Sequence, residues 1–190
     1  MPTLPTHKDT YKLLGVDPGT NLLGFAVVEI DGRHLRMVEM GVIHLSKFPT
    51  HEERLQRIFE RLKQIIFIHK PREMAIEAPF YGNNAQSMLK LGRAQGVAIA
   101  AAMTSGMQIQ EYSPRKIKQS ITGNGNASKE QVAAMLEREF HLDLSDQLLD
   151  ATDALGAAVC HYHQSRSPLG NGKKYNSWDA FIKDNPGKVK

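Results

Sequence analysis

The stretch Lys12-Leu13-Leu14-Gly15-Val16-Asp17-Pro18-Gly19-Thr20 decides how the rest of the chain is read. It is an apolar run that ends on an acid and then on turn residues. If the run forms a buried first strand, Asp17 sits at its tip. A carboxylate there must be hydrated, hydrogen-bonded or bound to a cation, because burying it unpaired costs several kcal/mol. A metal ligand is one answer, and it requires other segments to bring further acids to the same edge.

Outward from this stretch, Leu22-Leu23-Gly24-Phe25-Ala26-Val27-Val28-Glu29-Ile30 is rich in β-formers. Asp31-Gly32 then predicts a type I′ hairpin turn into His34-Leu35-Arg36-Met37-Val38-Glu39, with the third strand running on through Leu45. From Thr50 the period changes. Leu55, Ile58, Phe59, Leu62, Ile65 and Ile66 recur at three and four residues, the mark of a helical face. Thr50 and Glu53 form a capping box at its start and Pro71 ends it. Met74-Ala75-Ile76-Glu77-Ala78-Pro79 reads as a fourth strand. Because it follows a helix, it can lie parallel to the first.

A long helix is expected from about Asn84 to Ser105. Its small residues Gly92, Ala94, Gly96, Ala98 and Ala100 to Ala102 let another backbone approach closely, either the sheet or a second copy of the chain. Gln108 to Tyr112 is a short fifth strand, and Ser113-Pro114 caps the next helix. Gly123-Asn124-Gly125-Asn126 interrupts the chain. Ser128 and Gln131 then open a helix carrying Val132, Met135, Leu136 and Phe140, and the last helix runs from near Ser145 to about Gln164. The sum is an α/β fold with a five-stranded mixed sheet, its first three strands antiparallel, flanked by helices. Residues 1–10 are expected to be a disordered extension, 11–164 a single domain, and 165–190 a basic flexible tail with an aromatic cluster of Tyr175, Trp178 and Phe181.

With 190 residues, 41% hydrophobic and 23% charged, the chain suits one compact domain with an appendage. A lone cysteine, Cys160, excludes an internal disulfide and fits a reducing compartment. The first residues lack the apolar core of a signal peptide. The run Ala94 to Met107 is shorter than the roughly 20 apolar residues of a membrane span. A cytoplasmic protein without a membrane partner is expected. Residues 1–164 hold 18 Lys and Arg against 18 Asp and Glu, and residues 165–190 hold 6 against 2, so the tail supplies the whole net charge of +4. Nucleic-acid affinity in the body must therefore come from clustering. Arg115, Lys116, Lys118 and Lys129 lie in the segment Tyr112 to Lys129, which has no acid, and can engage phosphates.

Parallel first and fourth strands end on one edge of the sheet, which places Asp17 beside Glu77. Two carboxylates so close repel unless a cation lies between them. Asp150 and Asp153 are three residues apart on the last helix, on a face shared with Ala154 and Ala157 and flanked by Leu148, Leu149, Leu155 and Val159. Such a face should pack inward, so its two acids demand a reason. Four carboxylates are hard oxygen ligands suited to Mg²⁺ or Mn²⁺. Two such ions about 4 Å apart activate water and stabilise the leaving oxygen in phosphodiester cleavage. Asp143 and Asp146 read as helix-start acids, and Cys160, His161 and His163 cannot all be aimed from one helix at a single ion.

Four stretches together resemble the RuvC family of bacterial Holliday junction resolvases: Gly15-Val16-Asp17-Pro18-Gly19-Thr20, Ala75-Ile76-Glu77, Leu89-Lys90-Leu91-Gly92-Arg93-Ala94-Gln95-Gly96, and Asp150-Ala151-Thr152-Asp153-Ala154-Leu155. Their order and spacing carry the likeness from about Leu13 to His163. The resemblance implies a ribonuclease H-like fold, a homodimer, two magnesium ions per active site, paired symmetric nicks across a four-way DNA junction, and work beside a branch-migration motor complex. It assigns the catalytic acids to Asp17, Glu77, Asp150 and Asp153. It also assigns a junction-stacking aromatic to Phe80, with Tyr81 an added ring beside it, and phosphate contacts to Lys118 and Lys129. Ala78-Pro79 and the lysine-rich tail depart from the family pattern. Two other functions are open to the residues alone. One is a junction-binding scaffold without catalysis. The other is a phosphotransferase of the actin and sugar-kinase type, which lacks here its second phosphate loop.

Overall fold

The computed structural model describes residues 10–79, 84–144, 149–166 and 182–183. Strands β1 (Tyr11–Asp17), β2 (Leu22–Asp31) and β3 (His34–His44) form an antiparallel meander. Strands β4 (Glu73–Glu77) and β5 (Gln108–Tyr112) add in parallel on the other side of β1, giving the order β3-β2-β1-β4-β5. The five-stranded mixed sheet is therefore as expected. Helices α1 (His51–His69) and α2 (Ala85–Met103) cover one face, and α3 (Pro114–Thr122), α4 (Lys129–Phe140) and α5 (Leu149–Arg166) cover the other.

β1 is central, so its side chains are buried on both faces and its sequence is apolar without alternation. Leu14 and Val16 join the α1/α2 core, while Leu13 joins the α5 core. The caps fall where the sequence puts them. Thr50 and Glu53, and Ser128 and Gln131, form reciprocal capping boxes, and Ser113 accepts from the Lys116 N–H ahead of Pro114 at the first helical position. α1 stops at Lys70, which turns left-handed at φ 50° and donates its N–H to the Ile66 carbonyl. The residue before a proline disfavours the right-handed helix, and Pro71 follows.

Two expectations change. The β2–β3 turn pairs Asp31 with His34, so its central residues are Gly32 and Arg33. Only Gly32 has positive φ, at 59°; these are the φ signs of a type II′ turn, since type I′ needs both central residues positive. Leu149, expected on the packed face of the last helix, is 57% exposed. It lies in the first turn of α5 with its side chain turned to solvent, whereas Ala151, Thr152, Ala154 to Cys160 and Tyr162 are buried.

α5 is buried almost all round because it lies directly on the sheet while α3 and α4 pack against its other sides. A Cβ added at Gly15 would stand 2.0 Å from the Ala154 carbonyl oxygen, and one at Gly24 would stand 1.8 Å from that of Asp150. Only glycine permits such an approach of backbone to backbone. On the other face α1 and α2 run parallel. Lys63 donates to Ser105 at 2.9 Å near their carboxyl ends, and their amino ends meet beside the β1–β2 turn around Thr20 and Asn21.

The small-residue surface of α2 divides. Ala94, Gln95, Ala98, Ala101 and Ala102 are buried, while Gly92 and Gly96 face open space. Cys160, His161 and His163 take separate partners: the Lys116 carbonyl, Tyr112 with Glu73, and Ser120 with Glu139. No helix among the described residues is long and apolar enough to cross a membrane. Phe80, Tyr81, Asp146 and nearly all of the expected terminal segments lie outside the described residues.

Candidate active site

The last register pair of β1 and β4 is Val16 with Ile76, so Asp17 and Glu77 follow side by side at the carboxyl ends of neighbouring parallel strands. Adjacent strands are about 5 Å apart, and both side chains leave the sheet on the face that α5 covers. Asp17 also pairs with Gly24 across β1 and β2, and Gly24 is where the Asp150 carbonyl touches down. The glycine contact thus brings the first turn of α5, with Asp150 and, one turn on, Asp153, over the tip of β1.

The electrostatics follow from this packing. Burial first, then the charges of Glu77, Asp153 and Asp150, pushes Asp17 up to about 8, with Lys129 opposing. Burial and the Asp153 charge push Glu77 up to about 7, against Lys129 and Lys118. Lys129 Nζ lies 2.6 Å from Asp153 Oδ2, and the pair carries part of the counter-charge. Burial would lower the Lys129 ammonium, but the hydrogen bond to Asp153 and the other acids hold it above the ordinary lysine range. As the side chains stand, no group of three or more His, Cys, Asp or Glu among the described residues is close enough to hold an ion. The four acids share one electrostatic field, and a lysine occupies one of them.

A cavity of about 180 Å³ opens beside the two strand-end acids, bounded by Asp17, Pro18, Glu77, Ala78, Pro79 and Leu91. The expected basic residues separate by position. Lys118 and Lys129 face the acids, whereas the Lys116 charge is felt at Cys160, toward the far end of α5, and Arg115 packs against Gly125.

Two arrangements lie beyond what the sequence motifs indicate. Arg54 of α1 donates Nε to the Phe48 carbonyl at 2.9 Å, and Nη1 to the Thr20 carbonyl at 3.1 Å and to Asn21 Oδ1 at 2.9 Å. It ties the turn after Asp17 to the β3–α1 connection. An arginine interrupting the first turn of an amphipathic helix was the available hint. Second, His161 joins Glu73 at 2.6 Å and Tyr112 at 2.8 Å, bracing α5 against β4 and β5.

A ribonuclease H-like sheet with carboxylates at two neighbouring strand ends, and two more on the helix pressed onto it, defines the class of this protein. Within that class the chain belongs to the crossover junction endodeoxyribonuclease RuvC family, whose sequence profile matches residues 13–161. It is 58% identical to the crossover junction endodeoxyribonuclease RuvC of Cytophaga hutchinsonii, over 94% of this chain and 88% of the relative. It is 50% identical to that of Christiangramia forsetii, over 94% and 92%. Among solved structures, Thermus thermophilus RuvC in complex with a Holliday junction substrate superposes with a TM-score of 0.77 at 30% identity, covering 82% of this chain and 95% of that one.

Proposed function

We propose that the protein is a structure-selective endonuclease that resolves four-way DNA junctions by paired nicks, in recombination and repair. The observation that carries the reading is that Asp17, Glu77, Asp150 and Asp153, drawn from two strands and one helix, share one electrostatic field at a sheet edge flanked by Lys118 and Lys129. Family membership and the junction-bound Thermus relative support it. Four hard carboxylate oxygens fit Mg²⁺, with Mn²⁺ as substitute. Burial first, and then the repulsion of neighbouring acids short of positive charge, raises Asp17 and Glu77, and these four acids are the groups that would hold the metal, once Asp153 is freed from Lys129. When bound, divalent ions supply an activated water and stabilise the charge on the leaving oxygen. The protein's own part is positional. Gly15 and Gly24 let α5 deliver its acids, Arg54 holds the turn after Asp17, and Lys118 and Lys129 steady the phosphate. Arg115 and Lys116 extend the basic surface, and Phe80 is assigned to stacking at the junction by family likeness, with Tyr81 an added ring beside it.

A homodimer is also proposed, as two symmetric nicks require two sites. Leu89, Gly92, Gly96 and Met103 fall on one exposed face of α2, where the glycines leave room for a second helix. Action beside a branch-migration motor remains a proposal from the family. The test is a synthetic four-way junction incubated with and without Mg²⁺, with nicks mapped on each strand. Paired nicks that need Mg²⁺ are expected, and Asp17→Asn is expected to abolish them while junction binding survives. Equal cleavage by that variant would overturn the assignment.

A further inference from the structure

We infer that the cavity where the amino ends of α1 and α2 meet is a second phosphate subsite, which holds a backbone phosphate of the strand being cut, next to the scissile one. The inference rests on the nuclease reading above. The cavity has a volume of about 270 Å³ and is lined by Thr20, Asn21, His51, Arg54, Ser87 and Lys90. Its lining includes two permanent cations and no acid. Neither Arg54 nor Lys90 has a carboxylate partner among the described residues. Arg54 is instead spent on oxygens of the wall, through Phe48, Thr20 and Asn21, so its charge is held in place and left uncompensated. Glu53, its neighbour in sequence, turns its carboxylate back to the Thr50 N–H.

Position gives the ligand class. Thr20 is three residues beyond Asp17, so the cavity wall starts within about 11 Å of the catalytic edge, the most that three residues can span. Charges along one DNA strand recur about every 3.4 Å of helix axis. A strand whose scissile phosphate lies over Asp17 and which runs along the β1–β2 turn carries another phosphate past this cavity. The arrangement also answers an electrostatic problem of the catalytic edge, where four acids repel the polyanion they must cut. Lys90 and Arg54 attract it just beyond those acids, on the side of the β1–β2 turn opposite Lys118 and Lys129.

The test is binding of a synthetic four-way junction by the full chain in Ca²⁺, measured over a range of salt concentrations for the unaltered protein, Lys90→Gln, Lys90→Arg and a control, Lys70→Gln, at the far end of α1. Each phosphate contact contributes about 0.9 to the slope of log affinity against log salt. Lys90→Gln is expected to make the slope shallower by about 0.9 and to weaken binding about eightfold near 0.1 M salt, which is that slope extrapolated from 1 M. Lys90→Arg and Lys70→Gln are expected to keep the original slope. If the unaltered protein binds with a steep slope and Lys90→Gln matches it in slope and affinity, the subsite is refuted and the nuclease reading stands. If the unaltered protein does not bind the junction, both fall together.

Discussion

Removing the ammonium from the acid cluster, as in Lys129→Met, tests the electrostatic account most directly. Lys129 Nζ and Asp153 Oδ2 are 2.6 Å apart. Coulomb's law at an effective dielectric near 20 gives roughly 6 kcal/mol for unit charges at that separation, an upper bound. The Lys129 side chain is 52% exposed and that of Asp153 23%, so solvent screens much of this. Breaking a fully buried pair costs about 3–5 kcal/mol and an exposed pair up to about 1. The partly buried geometry places the expected loss at about 1–3 kcal/mol. For a domain of this size that lowers the unfolding midpoint by roughly 3–10 °C.

The assay is thermal unfolding in a chelator near pH 8, where Asp17 is losing its proton, repeated near pH 5. The penalty is expected to shrink at the lower pH, because Asp17 and Glu77 are then neutral and need less counter-charge. Calorimetric titration with Mg²⁺ gives an independent reading. The variant is expected to bind the ion at least as tightly as the unaltered protein, since no ammonium competes for Asp153. An unchanged midpoint at the higher pH, or weaker Mg²⁺ binding, would refute the idea that Lys129 stands in for a cation.

Further outcomes follow from the same geometry. Asp17 is raised from 3.8 to about 8 in the fold, so between those values the folded state binds more protons than the unfolded one. Metal-free stability should therefore fall as pH rises through that window, and saturating Mg²⁺ should flatten or reverse the trend in a melting series. Gly24→Ala sets a methyl group 1.8 Å from the Asp150 carbonyl oxygen, a backbone atom that cannot turn aside. It is expected to cost at least about 1–3 kcal/mol in denaturant unfolding, and the protein that remains folded should bind Mg²⁺ weakly.

At Glu73 burial alone would raise the carboxyl, but hydrogen bonds from His161 and Arg72 outweigh it and hold the group below its ordinary range. Its contribution is present above that range and is lost as pH falls through the folded value. Glu73→Gln should consequently lower stability at neutral pH and flatten the acid limb of the unfolding profile.

The order of elements could be read from the chain because its signals are local. The capping boxes at Thr50 and Ser128, the proline after Lys70, and the period change at Leu55 each act within a turn or two of helix. The type of the β2–β3 turn differs from the expected one for an equally local reason. Asp31-Gly32 looks like the centre of the turn, but strand pairing reaches Asp31 and moves the centre to Gly32-Arg33. Leu149 departs from the expected packed face because helical periodicity gives a face but not how far the neighbouring elements extend along it.

Sequence alone determined which acids were available and that Asp17 and Glu77 each end a strand, and the helix before the second strand lets the two run parallel, so that the acids can share an edge. The helix spacing of Asp150 and Asp153 likewise put them on one face. Only the tertiary structure decided how that face reaches the strand tips, through bare backbone at Gly15 and Gly24. It alone joined Lys129 to Asp153 across 24 residues, Arg54 to Thr20 across 34 and His161 to Glu73 across 88. A carboxylate, an arginine or a glycine looks the same in a sequence whatever it meets. Its partner is chosen by how the helices pack on the two faces of the sheet, and that packing sets the charge balance of the site.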